Sequence, residues 1–280
     1  MSAPHVLMTG ISFGESPRWH DGRLWFSDWA GQTLYALDPD GTSEAVATIE
    51  SFPFCIDFLP DGRLLVLHSA DQKLLRREPD GTFVTHADLH GISEHPWNEV
   101  VTDSRGNAFL NNIGFDFAGG EPGPGFAVVV TAEGDVKRVA DDLQFPNGMA
   151  VTPDDSTLIV AESYGNCLTA FDIGADGALE NRRTWAPLGE DNPDGICLDV
   201  EGAVWYADVG HEHCVRVAEG GEILQTVPLD RGGFSCVLGG DDLRQLFIVA
   251  TRWDPMNIGV GEPSGQIQVV DVDVPGVLRP

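Results

Sequence analysis

Short apolar runs alternate with polar turns along the whole chain, and no long stripe at helical period interrupts them. Leu24-Trp25-Phe26, Leu64-Leu65-Val66, Ala108-Phe109-Leu110, Leu158-Ile159-Val160, Val204-Trp205-Tyr206 and Leu246-Phe247-Ile248 each follow a turn. The turns begin at 21, 61, 105, 154, 201 and 241, spaced by 40 to 49 residues. Most carry Gly at the second position, as in Asp21-Gly22 and Asp61-Gly62; Asp154-Asp155-Ser156 and Asp241-Asp242-Leu243 are longer versions. A second apolar run follows, such as Gln32–Leu37 or Asn166–Phe171, and then another tight turn, as in Asp38-Pro39-Asp40-Gly41 or Glu78-Pro79-Asp80-Gly81. Asp-Gly between alternating runs predicts a hairpin, because that turn needs a left-handed backbone. A repeat of this length holding four short strands predicts a β-propeller blade. The expected fold is all-β: one six-bladed β-propeller domain over residues 1–280, with four-stranded antiparallel blades. The first twelve residues are expected to add an outer strand to the last blade and close the ring, which protects strand edges.

Composition adds limits to that picture. Hydrophobic residues make up 42% of the 280, enough for a large core. No window approaches the roughly 20 apolar residues of a membrane span. The N-terminus lacks a basic flank and an apolar core, so no signal peptide is expected. Cys55, Cys167, Cys197, Cys214 and Cys236 form no Cys-x-x-Cys pair and read as reduced thiols of a cytoplasmic protein. Sixteen Lys and Arg against 44 Asp and Glu give a formal net charge of −28, which excludes nucleic acid and anionic membrane surfaces as expected partners.

In a propeller the innermost strand of each blade lines the central channel, and here it precedes the Asp-Gly-type turn. Counting back seven or eight residues from each turn reaches Glu15, Phe54 or Cys55, Asn98, Asn147, Asp194, and Phe234 or Ser235. Four of these six stations carry a side-chain oxygen. Asn147-Gly148 and Asp194-Gly195 are also ordinary turn-forming pairs. The coincidence of four blades favours convergence on one hard, all-oxygen cation site formed by Glu15, Asn98, Asn147 and Asp194. Such a set suits Ca²⁺ first, with Mg²⁺, Mn²⁺ or Zn²⁺ as alternatives.

Gly14-Glu15-Ser16-Pro17-Arg18-Trp19, Phe145-Pro146-Asn147-Gly148-Met149 and Pro193-Asp194-Gly195-Ile196 resemble motifs of the senescence marker protein/gluconolactonase/luciferin-regenerating-enzyme-like family. The resemblance spans essentially the whole chain. It implies a six-bladed propeller with one divalent cation held by Glu15, Asn147 and Asp194, and lactone hydrolysis as the activity. It also places Asn98 beside the metal and in contact with substrate. The family's sugar lactonases carry Arg-x-Asn-Asp where this chain reads Pro96-Trp97-Asn98-Glu99, so the sugar-binding arginine is missing. Trp29, Phe54, Trp97, Phe115, Phe117 and Trp253 are the candidates for the channel mouth, with Ser235 as a further substrate-binding candidate, and the bulk of the aromatic rings favours an apolar lactone or ester.

The expected chemistry is metal-assisted attack of water on the lactone carbonyl, with Asp194 as base and Glu99 as the alternative. A non-catalytic cation-binding scaffold is the competing reading. Gly10-Ile11-Ser12-Phe13-Gly14 fits a nucleophile-elbow string but lacks a following helix. His211-Glu212-His213-Cys214 suggests zinc, yet its ligands are expected to alternate across a strand with no distant pair to complete a tetrahedron.

Overall fold

The turn at Asp61-Gly62 shows how the repeat folds. Gly62 has a φ of 82°, which joins strand Phe54–Phe58 to Leu64–His68. The two longer turns place Asp155 and Leu243 at φ 55° and 59°, so the extra residue takes over the left-handed position. The computed structural model describes residues 3–117, 119–254 and 261–277, and among these no helix is present.

Among the described residues, twenty-four strands assemble into six antiparallel sheets of four. The protein is a six-bladed β-propeller. Blades one to five each use four consecutive strands, starting from the inner strands Gly14–His20, Phe54–Phe58, Trp97–Thr102, Pro146–Val151 and Pro193–Leu198. Blade six starts at Gly232–Gly239 and takes its fourth strand from the N-terminus: His5–Ile11 pairs with Gly265–Asp271. The six inner strands contact one another in a closed circuit, which makes them the wall of the channel.

Burial follows the same symmetry. Apolar side chains gather in six clusters, one between each neighbouring pair of blades. Each sheet is apolar on both faces, so blades survive only by packing against two neighbours, and the ring must close. Ile11, fully buried between blades six and one, is the anchor of the closing strand.

Five of the six inner strands break register at or next to the residue expected to face the channel. Glu15 pairs with Ser27 but Arg18 with Trp25. Asn98 is inserted between the pairs Trp97–Asn112 and Glu99–Asn111. Asn147-Gly148 and Asp194-Gly195 each oppose a single partner residue. Blade six has the same irregularity at Phe234, whereas blade two pairs evenly from Phe54 to Phe58. A bulge re-aims a side chain that regular alternation would send into the sheet's own faces.

Truncating Ile11 to Ala is expected to lower stability by about 2–5 kcal/mol in denaturant titrations. Deleting residues 1–12 bares the Gly265–Asp271 edge, and is expected to give aggregates on size-exclusion chromatography.

Candidate functional site

The bulged strands bring Glu15, Asn98, Asn147 and Asp194 to one end of the channel. Asn98 Nδ2 donates to Pro146 O at 3.2 Å and to Asn147 Oδ1 at 3.4 Å. Asn147 Nδ2 donates in turn to Ser163 Oγ at 3.3 Å, and Ser163 Oγ donates to Pro193 O at 2.7 Å. Asn111 Nδ2 reaches Asn147 O at 2.6 Å. Ser163, in the turn just after the second strand of blade four, therefore holds the Asn147 side-chain amide, and Asn111, on the second strand of blade three, holds the Asn147 backbone carbonyl.

The two glycines that read equally well as turn formers lie inside strands, and neither is left-handed. They serve close approach instead. A Cβ on Gly195 would fall 1.8 Å from Ser235 Oγ, and one on Gly148 would fall 2.5 Å from Asp194 O. Ser235 itself is buried against Gly195.

Electrostatics ties the carboxylates together. Burial pushes the Glu15 carboxyl well above the usual range, and the nearby Asp194 charge pushes it further. Asp194 is likewise raised by burial and by the charges of Glu99 and Asp208. One Glu15 oxygen accepts the Ser16 N–H at 3.0 Å, with Ser16 held at a left-handed φ of 51°. Asp194 Oδ1 is buried with no hydrogen-bond partner. A buried, unpaired carboxylate oxygen beside a second carboxylate and two amides is the environment a divalent cation satisfies, and the donor set is hard.

Glu99 behaves differently. Its Oε1 accepts Val100 N–H at 2.8 Å and Arg18 Nη2 at 3.0 Å, with Ser16 Oγ at 3.4 Å. Arg18 also donates from Nε to Asp57 at 3.3 Å and from Nη2 to Val100 O at 2.7 Å. This Arg18 network joins the inner strand of blade one to those of blades two and three. Beyond it, at the opposite mouth, a separate cavity of about 180 Å³ is lined by Arg18, Thr102, Met149, Leu198 and Leu238 among others.

Aromatic rings crown the mouth above Glu15 and Asp194. Phe13 packs on Trp29 (5.4 Å), Phe234 (4.9 Å) and Trp253 (5.9 Å), and Phe52 joins Trp29 at 5.7 Å. A second group joins Phe115, Phe117 and Tyr164 around Phe145. The groups meet where Phe117 approaches Trp253 at 6.4 Å. Phe117 belongs to blade three and Trp253 to blade six, which are opposite in a six-membered ring, so this contact spans the mouth. Two expected mouth residues lie elsewhere. Phe54 is 1% exposed between blades one and two, and Trp97 is 1% exposed against Phe126 between blades two and three. The even pairing of blade two keeps Phe54 in its sheet face, and the bulge that frees Asn98 leaves Trp97 in the core.

Residues 13–252 match the SMP-30/Gluconolactonase/LRE-like region. The chain belongs to this family. Similar curated proteins include regucalcin of Oryctolagus cuniculus, 24% identical over 285 residues and covering 97% of this chain and 95% of the relative. Pentonolactonase XacC of Haloferax volcanii is 27% identical over 264 residues, covering 91% and 87%. The structure of the calcium-binding protein regucalcin from Agrobacterium tumefaciens superposes with a TM-score of 0.81 at 20% identity, over 99% of this chain and 96% of the other. That likeness carries the fold.

One sequence expectation is reversed. Glu212 adopts a left-handed φ of 53°, so His211 and His213 do not alternate; their rings stack 5.7 Å apart. Asp191 and Asp208 lie with them and supply the distant pair that the sequence did not reveal.

The raised Glu15 and Asp194 carboxyls fix a sign for stability. A folded-state pKa above the unfolded value costs nothing at acid pH, where both states are protonated, and costs most once pH exceeds the folded value. In EDTA, Asp194→Asn is therefore expected to exceed the wild type in stability by about 1–3 kcal/mol at pH 8, with the gap closing towards pH 4. Calcium is expected to raise the melting temperature of the wild type and leave that of Asp194→Asn unchanged.

Proposed function

We propose that this protein is a divalent-metal-dependent lactonase acting on an apolar lactone or related ester. The observation that carries the reading is the unpartnered Asp194 Oδ1, buried beside Glu15 at the converged bulges of the channel wall. The family relation supports lactone hydrolysis as the reaction, and pentonolactonase XacC is a relative named for such an activity.

Glu15, Asn147 and Asp194 would hold the cation, with Asn98 beside it. When bound, a divalent ion supplies Lewis-acid polarisation of the lactone carbonyl and lowers the pKa of water at the site. Asp194 serves as general base and takes the proton of the attacking water. Glu99 is the weaker choice, because Arg18 and the Val100 N–H already occupy its oxygen. The Asn98 amide orients the substrate carbonyl, and the donor from Asn98 to Asn147 keeps both amides in register. Phe117 and Trp253 exclude bulk water and give an apolar substituent flat surfaces to pack on. The acidic protein surface repels the hydroxy-carboxylate product and speeds its departure.

Asp194→Ala is expected to cut turnover of γ- and δ-lactones by at least about 10²-fold, and chelation with EDTA is expected to abolish it. Full hydrolysis after metal removal overturns the reading, and calcium-dependent stabilisation without turnover of any lactone or aryl ester leaves a non-catalytic staple in its place. Phe117→Ala and Trp253→Ala are expected to raise KM for phenyl- or alkyl-substituted lactones about 3- to 10-fold while leaving KM for gluconolactone within about twofold, measured as steady-state kinetics on both substrates.

A further inference from the structure

Blade five is the gap in the aromatic crown. Where the other blades present rings from their entry loops or from the turn after the second strand, blade five presents His211 and His213. The local frame is shared with blade one. There, Asp28 ends the second strand and its carboxylate accepts the N–H groups of Ser12 and Phe13 from the loop entering the inner strand. Asp208 holds the same place in blade five and accepts the Asn192 N–H at 2.7 Å and the His211 N–H at 2.9 Å. Blade five then adds three groups around this carboxylate that blade one lacks: Asp191 from the entry loop, His211 from the turn and His213 from the start of the third strand.

The ligand-capable atoms of these four residues all lie within 4.8 Å of one another. His211 Nδ1 is 3.0 Å from Asp208 Oδ2 and 3.5 Å from Asp191 Oδ1, and His213 Nε2 is 2.9 Å from Asp191 Oδ2. Among the described residues, only these imidazoles lie within ion-pairing reach of either acid. The Asp208 side chain is fully buried. We infer that Asp191, Asp208, His211 and His213 form a second metal site, separate from the channel, for Zn²⁺ or a similar borderline transition ion.

Three features argue for a metal over a hydrogen-bonded network. His211 Nδ1 faces oxygens of both acids, and its single proton can serve only one of them, whereas a cation among the four donors serves all. Two imidazole nitrogens and two carboxylate oxygens, from the entry loop and from the hairpin between the second and third strands, make a closed four-donor set of the kind Zn²⁺ takes. The acids are also braced from outside: the Tyr206 hydroxyl donates to Asp191 Oδ2 at 2.6 Å, and backbone N–H groups hold Asp208. Outer donors of this sort orient metal ligands. The donor chemistry separates the two sites, since the channel set is all oxygen and prefers harder ions.

Metal-free protein titrated with Co²⁺ tests the inference by visible absorption. The wild type and Asp194→Asn are expected to develop the intense band of four-coordinate Co²⁺, and His211→Gln and His213→Gln are expected to lose it and bind one equivalent less Zn²⁺ in equilibrium dialysis. A band that persists in both histidine variants, or no four-coordinate band in the wild type at about 0.1 mM Co²⁺, overturns the site. X-ray absorption at the zinc edge on the wild type loaded with Zn²⁺ needs no variant and guards against misfolding: two imidazoles in the ligand shell support the site, and a shell without imidazole overturns it.

Discussion

Two neighbouring carboxylates, Glu15 buried and Asp194 half-buried with its Oδ1 enclosed, demand a counter-charge, and this requirement organises the channel. Like charges about 4 Å apart at an effective dielectric near 20 repel by roughly 4 kcal/mol, comparable to a large share of a domain's net stability. The nearby arginine, Arg18, is already held by Glu99 and Asp57. Glu15 and Asp194 therefore share a region in which each raises the cost of ionising the other or its neighbours. The remaining two stations are amides, which add oxygens without adding charge. Three or four acids at the same place would exceed what one dication neutralises; two acids and two amides match it.

Ring closure is what makes such a cluster affordable in conformational terms. The inner strands of blades one, three, four and five are separate in sequence, yet each is locked by its own sheet and by wedge-shaped apolar clusters on both sides. Strand alternation alone would point successive side chains at the two neighbouring blades and none at the axis. The bulges resolve that conflict. They turn Asn98, Asn147 and Asp194 out of the sheet plane, and the small residues Gly148 and Gly195 let the adjacent inner strands close up behind them. The site is a consequence of irregularity repeated at the same height in several blades.

The architecture was readable because the repeat is carried by turn chemistry and apolar alternation, both of which are local. The phase of the six turns also singled out Glu15, Asn98, Asn147 and Asp194 as residues at a common height, since symmetry converts an equal count from each turn into the same level of the channel. What local patterns do not encode is direction. Phe54 and Trp97 occupy the right height but face the blade interfaces, and only strand register decides that. Asp191 and Asp208 were invisible for a related reason: they reach His211 and His213 through a hairpin crossing and through a left-handed Glu212, neither of which follows from spacing. Ser163 and Asn111 act on the site through neighbours and carry no motif of their own, and Arg18, though it stands in the Gly14–Trp19 motif, reveals its partners Asp57 and Glu99 only in the fold.

The mouth combines opposite demands on one rim. An aromatic roof joined across the ring by Phe117 and Trp253 would, in the proposed reaction, favour an apolar substrate and lower the dielectric around the acids, strengthening their attraction for a cation. The same roof would hinder the exit of the charged product of that proposed reaction, which would need a polar way out. Blade five supplies a polar stretch of that rim, because Asp191, Asp208, His211 and His213 replace the rings found elsewhere. A metal held there would also stiffen the entry loop that leads directly into Asp194, coupling the geometry of the outer cluster to the inner one through two residues of backbone, Asn192 and Pro193.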